Sequence, residues 1–370
     1  MLVSISMAAV IICLSSVTVW GAASRPVKYS LQKAIDVAVE TSPSLKLFNE
    51  KIKLAERRLN MAVATSKVAP EKYWSTDAQH VSNKNEELLY PLQRQSELTE
   101  LKWQKQNYEK KLRNDVVMLY YQILQVQKYI DNQKSVINRA MLEYDTMAKK
   151  VEAGLGTETI LLSYEIAVND AQTMLKTYER DLDNLYINFY ERLGLAFDTT
   201  VTLVASVLPE EDLRIDSIDK LAEEVVAASH DVAKLETDKL ITKTKYDILY
   251  QYSYYRPDEC DTLEDSLLNS DYSIRDQKVA VELKVRSDYN NLLNQKDDVT
   301  IKKMEHEQKV RLLEIAQKRY DLGMSTYLDL LRAQGERDTA LINYDNARLD
   351  YYVALQAFKL YIDPVVLDTK

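Results

Sequence analysis

The chain has 370 residues, of which 28% are charged and 46% apolar, with only 6 Gly and 7 Pro. Because so few glycines and prolines leave little room for ordinary loops, long regular elements are expected. A formal net charge of −9 provides no basic surface for phosphate backbones, which argues against nucleic-acid binding.

Residues 1–23 contain no Lys, Arg, Asp or Glu and run apolar from Leu2 to Trp20 before a Gly-Ala-Ala stretch. This pattern predicts a secretory signal peptide; an uncleaved N-terminal anchor is the alternative, because the stretch is just long enough to span a bilayer. Both interpretations place the remaining chain outside the cytoplasm. Cys260 would then be the only thiol of the mature chain, so no intramolecular disulfide is expected.

Two segments, 92–153 and 258–322, contain neither Gly nor Pro. At a rise of ~1.5 Å per residue, each predicts a helix of roughly 90 Å. Because a largely polar helix of this length needs a partner, antiparallel packing against a neighbour is expected. Apolar residues of the first segment recur at spacings of three and four, which is typical of a coiled-coil seam: Tyr108, Leu112, Val116, Leu119, Ile123, Val126 and Ile130.

The first seam breaks at Gly154-Leu155-Gly156-Thr157, and this break predicts a turn between two helices. Glycine can take the left-handed conformation that ends a helix, and Thr157 can cap the next helix. A second run of seam residues follows the turn: Ala171, Leu175, Tyr178, Leu182, Leu185, Phe189 and Leu193.

The same layout recurs without gaps at Gly323-Met324-Ser325-Thr326, which indicates an internal duplication that matches Gly154 to Gly323. The matching seam residues are Ala340, Tyr344, Ala347, Tyr351, Ala354, Phe358 and Ile362. A weaker repetition upstream matches Leu31 to Ile218. These two residues are further apart in the sequence than Gly154 and Gly323, so the first repeat carries additional residues before its long helix. We therefore predict a first repeat at 29–197, a linker at 198–216 and a second repeat at 217–363.

The stretch Tyr-Asp-Leu-Gly-Met-Ser-Thr at 320–326, the residues that follow it and their duplicated counterparts resemble the TolC-type outer-membrane efflux proteins. The likeness covers nearly all of 29–363. It implies an all-α protomer of long antiparallel coiled-coil hairpins, assembled as a homotrimer whose helices close into a tunnel. It also implies a periplasmic-type adaptor and an inner-membrane transporter as partners, and a location at the outer membrane or extracytoplasmic face of the cell envelope.

Protomers of this family also contribute four strands to an outer-membrane barrel, between the second and third helices of each repeat. The corresponding segments here, 68–91 and about 250–270, are short and charged, whereas two membrane strands need about 9–11 residues apiece plus a turn. We expect vestigial or absent β-strands. One fragment alternates, with Ile248, Tyr250, Tyr252 and Tyr254 on one face; a short strand and a fraying helix end both fit it.

The resemblance places partner docking at the two turns and a pore aperture just beyond the second. In the family, an acidic ring constricts the tunnel at the position of Asp329, and Arg332 here replaces a second acidic residue. Each role has a purely structural alternative. The turn residues could only terminate helices, and Asp329 could pair with Arg332 on the helix surface. The docking candidates are Gly154, Leu155, Thr157, Gly323, Met324, Ser325 and Thr326.

The sequence contains no glycine-rich phosphate loop, nucleophile elbow or clustered Cys and His with metal spacing. We therefore expect no enzyme activity, cofactor or metal. Two functions remain: a TolC-like export component that forms a conduit or docking scaffold, and a secreted or membrane-anchored structural coiled-coil protein without pore activity. The matched turns favour the first function, and the short strand segments favour the second.

Overall fold

The computed structural model describes residues 27–366, apart from 198, 212, 255 and 256. The predicted signal peptide or anchor at 1–23 lies outside the described residues. Within the part of the chain that the structure describes, none of the helices combines the length and apolar character needed to cross a membrane.

Helices dominate the fold, and the predicted all-α class is confirmed. The first half comprises β1 (Val27–Tyr29), α1 (Leu31–Thr41), α2 (Pro43–Val68), a 3₁₀ turn (Ala69–Glu71), α3 (Asp77–Lys84), a π-helical turn (Asn85–Leu89), α4 (Tyr90–Glu152) and α5 (Glu158–Leu193). The second half comprises β2 (Val201–Leu203), α6 (Ile218–Ala228), α7 (His230–Tyr252), α8 (Pro257–Asp321) and α9 (Tyr327–Val366).

The two glycine-free segments form α4, with 63 residues, and α8, with 65 residues. Helix α4 packs against α5 to form the first hairpin, and α8 packs against α9 to form the second. The predicted seams meet in the interior of each hairpin; Val116, Ile123, Phe189 and Leu193 are fully buried in the first. Burial of these seams stabilises helices that are too polar to be stable alone.

The short helices before each hairpin repeat as well. Helices α1 and α6 both have 11 residues, and they begin at the matched positions Leu31 and Ile218. Each is separated from the next helix by a serine whose hydroxyl caps that helix at 3.4 Å: Ser42 accepts from the Leu45 N–H, and Ser229 accepts from the Val232 N–H. The extra residues of the first half lie between α2 and α4, in α3 and the turns around it.

The segment predicted as a linker contains a strand that was not predicted. Strand β2 pairs in parallel with β1, with Val27 opposite Val201 and Tyr29 opposite Leu203. The Tyr120 side chain of α4 is fully buried, and its hydroxyl lies within hydrogen-bond distance of the carbonyl oxygens of Tyr29 (3.1 Å) and Val204. Strands this short do not show a period of two, so no sequence pattern indicated them.

The segments expected to carry vestigial strands are helical or irregular in their described residues. Helix α7 continues through Tyr252, so the short-strand alternative is wrong for the described residues 248–254 and the helix-end alternative is correct. The neighbours Ile248 and Leu249 are both buried, whereas Tyr250 is 71% exposed. Burial of two consecutive side chains contradicts the alternation of a half-buried strand.

Each half has its own core, and a third cluster joins the halves. Tyr121 of α4 meets Tyr352 of α9 edge to face, with ring centroids 5.7 Å apart, and Leu349 completes this cluster. An ion pair between Lys128 Nζ and Asp345 Oδ2 at 3.0 Å continues the contact towards the turns. The two hairpins therefore lie side by side, with α4 against α9.

We predict that Tyr120→Phe lowers the free energy of unfolding by about 1–2 kcal/mol, because the change removes a buried hydrogen bond that ties the β1–β2 pair to α4. Urea unfolding followed by circular dichroism measures the loss. Tyr121→Phe is the matched control, since its hydroxyl lies 3.5 Å from the Val207 carbonyl and makes at most a weak bond. Equal losses in the two variants would contradict this role for Tyr120.

Candidate functional site: the two hairpin tips

The first tip, residues 153–157, ends α4 with a Schellman motif. Gly154 has a φ of 72°, in the left-handed region that glycine enters without steric penalty. Its N–H donates to the Val151 carbonyl at 2.9 Å, and the Leu155 N–H donates to the Lys150 carbonyl at 2.8 Å. These two bonds satisfy carbonyls that the end of the helix would leave without a partner.

The second tip, residues 322–326, repeats this geometry in the second hairpin. Gly323 has a φ of 70°, and its N–H donates to the Tyr320 carbonyl at 2.9 Å. The Met324 N–H donates to the Arg319 carbonyl at 2.7 Å. Leu155 and Met324 therefore occupy equivalent positions, immediately after the left-handed glycine.

Threonine begins the returning helix at each tip, as the sequence predicted. The Thr157 hydroxyl accepts from the Ile160 N–H at 3.4 Å, and the Thr326 hydroxyl accepts from the Asp329 N–H at 3.2 Å. At the second tip the Asp329 carboxylate also accepts from the Thr326 N–H at 3.0 Å, which completes a reciprocal capping box. Ile160 cannot reciprocate, so the first tip has a single cap.

Apolar side chains at the tips are unusually exposed: 80% for Leu155 and 69% for Met324. The end of α5 provides an internal comparison, because Gly194 has a φ of 63° and the Leu195 N–H donates to the Tyr190 carbonyl at 2.9 Å. Leu195 packs against the core of the first half. The same motif thus partly buries its apolar residue at the end of α5 and leaves it in water at both tips.

The second tip presents further apolar surface. Leu322 is 70% exposed, and the rings of Tyr320 and Tyr327 lie 5.9 Å apart across the turn. Ser325 lies between Met324 and Thr326 with its hydroxyl buried. Apolar groups held in water by two rigid turns form a surface suited to binding another protein.

The two aperture candidates make different contacts. Hydrogen bonds from Thr326 hold the pKa of the Asp329 carboxyl below its usual value, with smaller contributions from the charges of Arg332 and Arg319. Arg332 Nε donates instead to Glu143 Oε1 of α4 at 2.9 Å. The alternative of an Asp329–Arg332 surface pair is therefore replaced by a helix cap and an ion pair between the hairpins.

Gly335 in α9 is a packing position between the hairpins that the sequence interpretation missed. A Cβ atom there would come within 2.9 Å of the Arg139 guanidinium, which reaches across from α4 and lies 3.7 Å from Asp338. A glycine inside a helix costs about 1 kcal/mol relative to alanine. Here the missing side chain leaves room for the Arg139 guanidinium between the hairpins. A single glycine within an otherwise helical sequence was the signal that could have identified this position.

Among the described residues, no group of three or more His, Cys, Asp or Glu side chains could hold a metal ion. His230 has a different role. Its Nε2 lies 2.9 Å from Glu100 Oε2, and its ring stacks on Trp103 with centroids 4.0 Å apart. His230 therefore joins α4 to α7.

Two long hairpins with matched, capped tips define a helical-hairpin protein. Residues 259–362 match the outer membrane efflux protein family. No curated protein sequence matches the chain. The predicted resemblance to TolC-type outer-membrane efflux proteins is confirmed. The predicted location in the cell envelope agrees with that of the matching family and of the similar solved structures.

Solved structures of outer-membrane proteins share the fold across most of the chain. The CmeC outer membrane channel of Campylobacter jejuni is similar with a TM-score of 0.64 and 11% identity, over 90% of this chain and 85% of CmeC. The outer membrane protein VceC of Vibrio cholerae is similar with a TM-score of 0.62 and 12% identity, over 90% of this chain and 95% of VceC.

We predict that Gly154→Ala and Gly323→Ala each lower the free energy of unfolding by about 1 kcal/mol through the left-handed backbone alone. A Cβ atom at either position meets nothing within 4 Å. Gly194→Ala is the comparison variant and should cost more, because its Cβ would lie 3.2 Å from Thr41. Urea unfolding of the three variants tests this order, and an equal loss at Gly194 would contradict it.

Proposed function

We propose that this protein is a TolC-like export component: a homotrimeric helical conduit or docking scaffold that works with a periplasmic adaptor and an inner-membrane transporter. The observation that carries the proposal is the pair of equivalent apolar residues, Leu155 and Met324, held in water at the tips of two long hairpins. The proposed role is not enzymatic, because the tips offer a binding surface and no reactive group.

The arrangement of the hairpins supports a docking role. Helices α4 and α8 would each extend about 95 Å at ~1.5 Å per residue, so the tips lie far from the segments that precede these helices. The ion pair between Arg332 and Glu143 fixes the second hairpin against the first close to the tips. Two tips held side by side present one composite surface to an adaptor.

Asp329 is the residue that we assign to the aperture of the assembled conduit. Because Thr326 donates to its exposed carboxylate, the pKa is lowered and the group stays ionised to a lower pH than usual. Three such carboxylates around a narrow aqueous opening would attract cations and repel one another. Arg332, held by Glu143, serves to position the helix that carries Asp329.

A structural coiled-coil protein without pore activity is the second candidate. It is favoured by one observation: the described residues of 68–91 and 250–270 form helices and turns, with no strand among them. The two candidates differ in whether the assembled protein conducts ions.

Measuring the conductance of planar bilayers distinguishes the conduit from the structural coiled-coil protein. The intact protein, expressed with its own N-terminal segment and purified from the envelope, should produce discrete conductance steps if it is a conduit. Asp329→Asn should then lower the preference for cations over anions, while Lys303→Gln on the mid-region of α8 should leave it unchanged. A protein that stays out of the membrane fraction and produces no steps would favour the structural candidate.

We predict that Leu155→Asp and Met324→Asp abolish cross-linking to the adaptor in the host envelope, because they place charge in an apolar contact surface. Photo-reactive amino acids at Tyr327 and Ile160, beside the tips, would report the contact. Helix content should be retained and the free energy of unfolding should stay within about 0.5 kcal/mol of the parent, since both side chains are exposed. Unchanged cross-linking would show that the tip residues only terminate helices.

A further inference from the structure

A cleft of about 300 Å³ lies where the two hairpins meet, near the middle of α4 and α9. These helices form two of its walls, and the strap, residues 205–208 of the segment after β2, forms the third. The strap is fastened to α9, because Arg348 Nη2 donates to the Leu208 carbonyl at 3.2 Å. Small-molecule sites in proteins have volumes of about 300–1,000 Å³, so the cleft has room for a small ligand.

The interior of the cleft is largely apolar. Tyr121 and Leu349 line it and are buried, and both belong to the cluster that joins the two hairpins. Leu124 and Leu208 also line it, and they pack against the same cluster. Val207 of the strap completes this lining, although its side chain is 83% exposed. A ligand between the strap and the helices would therefore remove apolar surface from water, which favours its binding.

The charged side chains at the cleft are unequally partnered. Lys128 Nζ pairs with Asp345 Oδ2 at 3.0 Å, so each neutralises the other. Arg348 Nη2 lies 3.5 Å from Glu210 Oε1, but the Arg348 side chain is only 19% exposed whereas that of Glu210 is 85% exposed. An ion pair with one member almost entirely in water contributes little, so another carboxylate can displace Glu210 at small cost.

The Arg348 guanidinium is held in place and still has donors to offer. Its plane packs over the Tyr344 ring, with the central carbon 5.6 Å from the ring centroid. Both the Leu208 carbonyl and Glu210 are contacted through Nη2, whereas a guanidinium carries further N–H donors on its other nitrogens. Such a positioned fork is suited to bidentate binding of a carboxylate.

The next carboxylate along the chain has other partners. Glu211 accepts hydrogen bonds from the Lys359 ammonium and, at 3.1 Å, from the Gln356 amide. Because Glu211 is engaged by α9 and Asp345 by Lys128, the flexible Glu210 is the group that a ligand has to replace.

From this arrangement we propose that the cleft binds a small amphipathic carboxylate. Its apolar body lies against Tyr121, Leu124 and Leu349, and its anionic group replaces Glu210 at Arg348. Because Lys128 neutralises Asp345, the charge that remains for the ligand is that of the guanidinium, so an anion is preferred to a cation of the same shape. The site is separate from the hairpin tips, and its occupancy is independent of the proposed export role.

Photo-labelling of the full chain with a diazirine derivative of octanoate locates the site, with the labelled peptides identified by mass spectrometry. Label is expected in residues 121–128, 205–208 and 345–349, and it should reach saturation. Unlabelled octanoate should compete for the site. Octylamine, which has the same chain and the opposite charge, should compete about tenfold less well, because it gains no bond from Arg348.

Variants of the charged groups test the role of Arg348. Arg348→Gln should weaken competition by octanoate about tenfold or more, and Arg348→Lys should give an intermediate loss because it keeps the charge without the fork. Glu210→Gln should strengthen competition by about two- to fivefold, since it removes the group that the ligand displaces.

A charge on the strap tests the position of the ligand. Val207→Asp should weaken octanoate competition about tenfold, because it places a like charge beside the bound anion. Val204→Asp is the matched control: it puts the same charge on the same segment, outside the lining of the cleft, and should leave competition within about twofold of the parent. Val207 and Glu210 are exposed, so their variants should fold even if changes at Arg348 disturb the strap.

Three results would overturn the site. Label spread over apolar surfaces elsewhere, or equal competition by octanoate and octylamine, would show that only adventitious apolar contact occurs. Unchanged competition in the Arg348 and Glu210 variants would remove the carboxylate partner. Equal effects of Val207→Asp and Val204→Asp would place any bound anion outside the cleft.

Discussion

A helix of 63 residues with a mostly polar surface is not stable by propensity alone, and the rest of this structure follows from the need to give α4 neighbours. Its seam is buried against α5, one lateral face packs on α9, and its upstream half supports α1 and α2. Tyr120 anchors the short strand pair to the same helix. Helix α4 is thus the element through which the two hairpins and the β1–β2 pair are held together.

The charges between the hairpins are arranged to fix register rather than to add much stability. Exposed ion pairs such as Lys128–Asp345 contribute little, typically below about 1 kcal/mol. Several of them spaced along α4 and α9, together with the guanidinium of Arg139 seated over Gly335, disfavour any sliding of one hairpin along the other. This fixed register keeps the two tips side by side, which a composite docking surface requires.

Structural features that depend on residues close together in the sequence could be predicted. The absence of Gly and Pro, the seam spacing, the left-handed glycines and the threonine caps each act within a few residues, so the long helices and both turns were predicted correctly. The strand pair was missed because both strands are very short and the whole first hairpin separates them in the sequence. The ion pair between Arg332 and Glu143 was also missed because its two members are far apart in the sequence and lie on different hairpins.

The proposed function requires that the hairpins of several copies assemble side by side into a conduit or docking scaffold with their tips at one end. Electron cryo-microscopy of the protein extracted from the host envelope tests this most directly. We expect a closed ring of three copies and six hairpins, with all tips at one end. Single copies, or copies whose tips lie at different ends of the assembly, would contradict the proposed function.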